Sequence, residues 1–184
     1  MTAGTHQATD DLANRGTFAA VSETVFHRLE KLLADRGIRY EVMHHEPVYT
    51  SQQAAAVRGT ALASGAKALV VKGDDQFVMI VLPADRKLAS RFVRQTCGWR
   101  KLRFATRDEV AQLTGLEPGA IPPFGSLFAL ATFCDTALGG NPQINFNAGD
   151  HCISVSMAYA DYLAVEKPQL GTFSQPPSET ARPA

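Results

Sequence analysis

Several common signals are missing from this sequence of 184 residues, and each absence excludes a class of protein. An excess of one charge is missing, since 18 Lys and Arg balance 18 Asp and Glu. This balance argues against non-specific coating of nucleic acid, because such binding depends on neutralising phosphates. No apolar run approaches the ~20 residues that span a bilayer, and the first residues lack the basic and apolar regions of a secretory signal. We therefore expect a cytoplasmic protein with no membrane partner.

Cysteine is scarce, and the familiar catalytic motifs are absent. The three cysteines, Cys97, Cys134 and Cys152, contain no CxxC pair, so we expect structural thiols rather than a disulfide framework or a nucleophile. The motifs GxSxG, GxxxxGK[ST], GxGxxG and HExxH do not occur. His44 and His45 are adjacent, so on a strand they point to opposite faces and cannot chelate one ion together. The sequence predicts neither a metal nor a cofactor.

The composition is that of one folded domain with polar ends. Hydrophobic residues make up 45% and charged residues 20% of the chain, which is typical of globular domains. Residues 1–16 are small and polar, and 168–184 are rich in Pro, Ser and Thr. We therefore predict a disordered segment over 1–16, a domain over 17–167 and a flexible tail over 168–184.

Hydrophobic periodicity predicts alternating helices and strands within that domain. A helix capped by Thr17 comes first, and a second helix is expected to begin at a Ser51 cap. The apolar runs 67–72 and 77–83 predict a central hairpin. Further helices are predicted over 86–95, 106–115 and 158–166, and strands over 38–45, 127–132, 144–147 and 152–157. The helix over 86–95 should bury Leu88, Phe92 and Val93, and the helix over 106–115 should have Thr106 as its cap with Glu109 at its third position. The expected fold class is α/β (α+β), a mixed sheet flanked by helices rather than a doubly wound one.

Lys67 is the first residue of the central apolar run. Its side chain shares a face with Leu69 and Val71, whereas Lys72 has the opposite parity and projects from the other face. Two interpretations stay open from the pattern alone. Both lysines flank a buried strand and reach water with their ammonium groups, or Lys67 is a functional cation.

Two further features of the sequence invite a functional interpretation. Loop 115–126, GLEPGAIPPFGS, is either a rigid loop that aims backbone N–H groups at an oxyanion or an ordinary connector. Residues 86–107 hold eight cations and no acid, and Lys87, Arg91 and Arg94 recur at helical spacing. This segment is either a solvated helix face or a surface for a polyanion. Trp99 and Phe104 could stack bases there, although burial is expected for both.

Four motifs in order carry a family resemblance. They are HEPVYTSQQAA (45–55), GAKALVVK (65–72), GAIPPFG (119–125) and INFNAGD (144–150). Over about Leu32 to Leu163 the chain resembles the YbaK/ProX family of aminoacyl-tRNA deacylases, which is related to the editing domain of bacterial prolyl-tRNA synthetases. The resemblance implies a mixed, partly barrel-like sheet flanked by helices. It also implies hydrolysis of the ester that joins a mischarged amino acid to tRNA.

The resemblance assigns site residues one position at a time. Lys67 matches the family's essential lysine, and Gly119 and Gly125 match its loop glycines, with Pro123 between them. Asn147 stands where relatives often carry Ser or His, and Ser154 stands where the YbaK branch usually has Asp. These two departures leave the edited amino acid open among Ala, Ser and Cys.

The mechanism implied by the resemblance needs no covalent nucleophile, because an aminoacyl ester is already activated. We expect loop amides around Gly119–Gly125 and the Lys67 cation to stabilise the oxyanion, with water activated by a ribose hydroxyl of the substrate. His45 is the nearby alternative base, or it is structural. Lys87, Arg91 and Arg94 are the expected tRNA contacts.

The expected partners are mischarged tRNA and, as a further candidate, an aminoacyl-tRNA synthetase; neither DNA nor a membrane is expected. The rival hypothesis is a non-catalytic module that binds tRNA or a synthetase. A small-molecule binding protein is disfavoured by the basic segment.

Overall fold

The computed structural model describes residues 24–177. In that range the chain forms five α-helices: α1 (24–35), α2 (Ser51–Arg58), α3 (Ser90–Cys97), α4 (Arg107–Thr114) and α5 (Tyr159–Glu166). Ten strands alternate with them: β1 (Tyr40–His44), β2 (Ala66–Gly73), β3 (Gln76–Pro83), β4 (Lys87–Leu88), β5 (Leu102–Phe104), β6 (Ala131–Asp135), β7 (Gln143–Asn147), β8 (Ile153–Ala158), β9 (Gln169–Gly171) and β10 (Ser174–Gln175). The Thr17 cap and residues 1–16 lie outside the described residues.

The strands form three sheets. The largest has the order β5-β2-β3-β6-β9, with antiparallel pairs on the β2 side and parallel β3-β6 and β6-β9 pairs. A second sheet, β1-β8-β7, is antiparallel, and β10 pairs with β4. A single bridge between Gly65 and Asn145 connects the start of β2 to β7. The predicted mixed α/β class is confirmed, and over residues 24–177 the sheets do not close into a barrel.

The central hairpin is buried on both faces, which explains its continuous apolar sequence. On one face, Val70 and Met79 join the main core, where α1 contributes the fully buried Leu29 and Leu33. On the other face, a second core includes Val71, Ile80, Leu82, Val93 and Phe173. The predicted hairpin is confirmed, with Lys67 opposite Leu82.

Helix caps account for two of the boundaries. Helix α4 begins after Thr106, whose hydroxyl accepts from the Glu109 amide in a capping box, as the sequence predicted. Helix α2 is capped by Thr50 rather than by Ser51, because Gln53 completes a capping box with Thr50. The Ser51 cap is therefore wrong by one residue.

The strand predicted over 127–132 is wrong in its first half. Residues Gly125–Phe128 form a 3₁₀ turn, and Ala129 follows with a φ of 55°. A left-handed residue interrupts an extended run, so β6 begins only at Ala131.

The helix predicted over 86–95 also begins later than expected. Lys87 and Leu88 form β4 against β10, and α3 starts at Ser90. Val93 is fully buried as predicted, but Phe92 is 43% exposed. Lys87 therefore does not share a helix face with Arg91 and Arg94, and the helical spacing inferred for it is wrong.

The folded unit continues past residue 167, where the sequence predicted a flexible tail. Strands β9 and β10 lie in this segment, and Phe173 between them is 1% exposed. The amide of Phe173 donates to Asp135 Oδ2 at 2.6 Å. Phe173 therefore anchors a segment whose Pro, Ser and Thr content is typical of a linker. Residues 178–184 lie outside the described range.

Candidate active site

A cavity of about 210 Å³ lies where the start of β2, helix α2, strand β7 and loop 119–121 meet. Its polar lining includes Lys67, Arg58 and Asn147, and Gly119 forms part of its wall. The apolar lining includes Val48, Ala54, Leu62, Ile121 and Phe146. The bridge between Gly65 and Asn145 holds β2 and β7 together at this place. Residues from four distant segments thus surround one small space.

Lys67 is a half-buried cation on the wall of this cavity. Its Nζ donates to the Arg86 carbonyl at 2.8 Å, which leaves other N–H groups of the ammonium for a ligand. Burial lowers the pKa of Lys67, the Asp85 carboxylate opposes that shift, and the Lys87 ammonium adds to it. Lys72 projects from the other face, with its Nζ 5.1 Å from the Phe77 ring centroid. The predicted separation of the two lysines is confirmed.

Asp85 is a site neighbour that the sequence reasoning missed. Its Oδ1 is buried and has no hydrogen-bond partner among the described residues. A buried carboxylate oxygen without a partner is unusual in proteins. Asp85 is part of a turn after β3, and no sequence pattern connects it with Lys67, 18 positions earlier.

Arg58 is the second residue that sequence analysis missed. Its Nε donates to Ser154 Oγ at 2.8 Å, and its Nη2 donates to Asn147 Oδ1. Burial lowers the pKa of Arg58 to about 10. Within residues 24–177 no carboxylate forms an ion pair with it. The cavity therefore contains two cations, Arg58 and Lys67, and favours groups with negative or partly negative oxygen atoms.

A chain of hydrogen bonds runs from His45 to the loop. Arg58 can only donate, so Ser154 Oγ accepts from it and directs its own hydrogen to His45 Nε2 at 2.6 Å. That assignment places the single ring N–H on Nδ1, which donates to the Glu46 carbonyl at 2.8 Å. At the far end, Asn147 Nδ2 donates to the Gly119 carbonyl at 2.8 Å. His45 itself does not line the cavity. It orients the Ser154 hydroxyl through their hydrogen bond.

Loop 119–125 offers fewer amide donors than its length suggests. The amides of Ala120, Phe124 and Gly125 donate to Glu117 O, Pro122 O and Thr132 Oγ1. Prolines have no N–H. The amides of Gly119 and Ile121 have no hydrogen bond within the part of the chain that the structure describes. These two amides are the candidate oxyanion donors, and both residues line the cavity.

The two loop glycines have different surroundings. Gly119 has a φ of +92°, which L side chains rarely adopt, and lies on the cavity wall. Gly125 is buried against Thr132 and the Leu130 carbonyl, and a Cβ would collide with both. Pro123 is also buried, and neither it nor Gly125 lines the cavity. The structure brings Lys67, Gly119 and Asn147 together and leaves Pro123, Gly125 and His45 outside.

The predicted tRNA contacts lie in two places. Lys87 is exposed, and it is close enough to Lys67 to lower the pKa of that lysine. Arg91 and Arg94 border a shallow hollow of about 390 Å³ with Gln95, Trp99 and Arg100, and this hollow shares no lining residue with the cavity. Trp99 is partly buried against Phe133, with ring centroids 5.8 Å apart. Phe104 is 56% exposed, so its expected burial is wrong.

Other chemistries find little support in the described residues. Burial raises the pKa of the Cys134 thiol to about 12 and also raises the pKa values of Cys97 and Cys152, which disfavours a reactive thiolate. Among residues 24–177 no group of three His, Cys, Asp or Glu side chains has a metal-binding arrangement. In the same range no helix has the length and apolar character needed to cross a bilayer.

Comparison with known proteins agrees with this geometry. The family described as "Aminoacyl-tRNA editing domain" matches residues 45–165. The "Multifunctional Ser/Thr-tRNA deacylase ProXp-y" of Escherichia coli K12 is 36% identical over 162 residues, covering 85% of this chain and 97% of that protein. The "Prolyl-tRNA editing protein ProX" of Acetoanaerobium sticklandii is 25% identical over 142 residues, covering 74% and 87%.

A solved structure supports the fold independently. The crystal structure of a candidate trans-editing enzyme for prolyl tRNA synthetase superposes with a TM-score of 0.72 at 23% identity, covering 82% of this chain and 97% of that one. The family match spans more than half of the chain, and it contains Lys67, Gly119 and Asn147. The chain therefore belongs to the aminoacyl-tRNA editing domain family, as its sequence motifs predicted.

Proposed function

We propose that the protein hydrolyses the ester between a mischarged small amino acid and the 3′ end of tRNA. The observation that carries this proposal is one small cavity lined by Lys67, Gly119 and Ile121, where the amides of the last two have no hydrogen-bond partner among the described residues. The names of the E. coli and A. sticklandii relatives support the reaction class. The partner is then mischarged tRNA, and the place of action is the cytoplasm, where tRNA is charged.

The reaction needs stabilisation of charge more than it needs a protein nucleophile. Water adds to the ester carbonyl carbon, and the carbonyl oxygen becomes an oxyanion within reach of the Gly119 and Ile121 amides and Lys67. A well-placed donor of this kind is worth about 3–4 kcal/mol of barrier. The tetrahedral intermediate then expels the ribose oxygen, which takes up a proton, and the free amino acid leaves.

The proton of the attacking water needs an acceptor. No Asp, Glu or His side chain is among the described residues that line the cavity. The ribose hydroxyl next to the ester is a suitable substitute, because it is close to the water in every aminoacyl-tRNA. We assign the base to the substrate, and His45 to the support of Ser154 and Arg58.

The size and polarity of the cavity select the amino acid. A volume of about 210 Å³ is below the roughly 300–1,000 Å³ of sites that take drug-sized ligands, so we expect small side chains to be favoured over bulky ones. Serine and threonine are the first candidates because of the name of the E. coli relative, and alanine and cysteine follow by size. A pocket of this type discriminates between similar small side chains only weakly.

A deacylation screen tests the proposal. Purified protein is incubated with tRNAs charged with Ser, Thr, Ala or Cys, and with Phe-tRNA as the bulky control. We expect rapid loss of at least one small amino acid and no acceleration for Phe. Tight binding of tRNA without turnover on any substrate would overturn the proposal and favour a non-catalytic module that binds tRNA or a synthetase.

A further inference from the structure

Tyr49 stands out at the rim of the cavity because its ring is unusually exposed. Tyr49 lines the cavity, and it is 70% exposed, more than any other large hydrophobic side chain recorded as exposed over residues 24–177. Aromatic rings bury large areas when they pack. An exposed ring at the entrance of a site therefore has an open face on which a ligand could pack.

The backbone of Tyr49 is held in place. Its N–H donates to Gln53 Oε1 at 3.0 Å, and Thr50 N–H donates to the same oxygen at 3.1 Å. Both contacts belong to the capping region that fixes the start of α2. The ring is thus presented from an anchored position, which reduces the entropy lost when a ligand stacks on it.

His151 supports the Tyr49 ring. The two ring centroids are 4.8 Å apart with an interplanar angle of 42°. His151 is itself tied to Val48, since its Nδ1 lies 3.0 Å from the Val48 carbonyl and its own carbonyl accepts from Val48 N–H at 3.0 Å.

The same histidine connects the rim with the loop that holds the candidate oxyanion donors. A Cβ on Gly119 would lie only 3.2 Å from His151 Cε1, so the imidazole lies against the loop. Gly119, His151 and Tyr49 therefore form a continuous row of contacts from the proposed reaction centre to the rim. A group stacked on Tyr49 would be held at a fixed distance from the loop amides.

The substrate has a part that needs such a position. A cavity of about 210 Å³ suits an aminoacyl group, so the base of the terminal nucleotide must lie outside it. Unpaired bases are commonly recognised by stacking on aromatic side chains. We propose that Tyr49 is the stacking platform for the 3′-terminal base of tRNA, with His151 as its support. This inference rests on the proposed deacylase function.

Steady-state kinetics on the best small-amino-acid tRNA tests the platform. Tyr49→Ala and Tyr49→Leu remove the aromatic face, whereas Tyr49→Phe keeps it. We expect KM to rise roughly 5- to 100-fold in the first two variants, in line with the effect of removing one stacked base, with a smaller change in kcat. Tyr49→Phe should stay within about twofold. Leu170→Ala is the matched control, because Leu170 is 51% exposed and does not line the cavity.

A second substrate separates the two hypotheses. An otherwise identical tRNA that lacks the 3′-terminal base should be hydrolysed equally by wild type and Tyr49→Ala, because the lost contact no longer exists. A wild type inactive on every mischarged tRNA would overturn the deacylase function itself. An active wild type with an unchanged KM in Tyr49→Ala, or the same loss on both substrates, would overturn the platform alone. Thermal melts of each variant establish that it is folded.

Discussion

The two ends of strand β2 carry the same residue in different surroundings. At one end, Lys67 is half-buried on the cavity wall and donates to a backbone carbonyl, with a buried carboxylate oxygen of Asp85 nearby. At the other end, Lys72 lies 5.1 Å from the Phe77 ring centroid. There the pKa of Glu109 is lowered to about 2, chiefly by its hydrogen bond with Arg103 and least by Lys72.

This difference shows that the neighbours of a lysine decide its chemistry. Around Lys72 the charges are satisfied, since Arg103 makes two contacts with Glu109 at 2.6 and 2.7 Å. Around Lys67 one carboxylate oxygen has no hydrogen-bond partner among the described residues, and the cavity next to it contains a second half-buried cation, Arg58. Buried polar groups without partners and ionisable groups with shifted pKa values are found more often at functional sites than elsewhere. If chemistry belongs to the Lys67 end alone, only substitutions at that end should slow the hydrolysis of bound substrate.

The largest effect is expected when the lysine is removed from each end in turn. Lys67→Ala should lower the single-turnover deacylation rate about 10²–10³-fold, as loss of one oxyanion donor does. Lys67→Arg should rescue poorly, because a planar guanidinium does not replace a compact ammonium. Lys72→Ala is the matched control and should keep most of the activity.

Thermal melts of the same three variants distinguish chemistry from folding. We expect Lys67→Ala to stay folded and to lose about 0.5–1.5 kcal/mol of stability, because its hydrogen bond to the Arg86 carbonyl is lost. A folded Lys67→Ala protein with near-normal turnover would mean that Lys67 contributes no more to catalysis than Lys72 does. It would also favour the non-catalytic binding module.

A smaller effect is expected for tRNA affinity at the basic surface of α3. Arg91 and Arg94 are exposed and border the hollow beside Trp99, which packs against Gly73 at the Lys72 end of β2. Arg91→Glu with Arg94→Glu should weaken tRNA binding about tenfold. The slope of the logarithm of the binding constant against the logarithm of the salt concentration should become shallower by roughly 1.5–2 units. The turnover rate of bound substrate should stay unchanged, because the α3 surface is expected to bind tRNA whereas the ester is hydrolysed in the cavity at the Lys67 end.

A control with the same change in net charge is available in the chain. Arg36 and Arg39 are both exposed and lie outside the basic segment. Arg36→Glu with Arg39→Glu should alter binding much less in the same filter assay. Equal losses in the two double variants would mean that only overall charge matters, and that residues 86–107 contain a solvated face.

The selectivity of the cavity is expected to depend on Asn147. Asn147 accepts from Arg58 and donates to the Gly119 carbonyl, so it lies between the second cation and the loop. Asn147→Ala should change the ratio of the rates for Ser-tRNA and Ala-tRNA by several-fold, more than it changes tRNA affinity. An equal loss on both substrates would contradict a role in side-chain recognition and make Asn147 a tether for the loop.

Local patterns predicted the scaffold well and the site only in part. The apolar runs around Lys67 and the Thr106 capping box depend on neighbours in sequence, and both were predicted. Gly119 and Gly125 look equivalent in the sequence, yet one lines the cavity and the other packs against Thr132. Arg58 and Asp85 carry no local signal, because their importance arises only when distant segments meet.

The smallest effect is expected in the pH profile of the rate. This profile also compares the Lys67 and Lys72 ends of β2 most directly. Burial lowers the pKa of Lys67, the Asp85 carboxylate raises it, and Lys87 lowers it. If the ammonium form is required, the rate falls as pH rises through this lowered pKa. Asp85→Asn removes an attraction and should move the alkaline limb to lower pH, whereas Lys87→Gln removes a repulsion and should move it to higher pH. Asp75→Asn, in the turn next to the Lys72 end, should leave the limb unchanged. The measurement is single-turnover deacylation from neutral to alkaline pH, with spontaneous ester hydrolysis subtracted at each point. Shifts in the same direction for Asp85→Asn and Lys87→Gln, or no shift in either, would contradict a catalytic ammonium at Lys67.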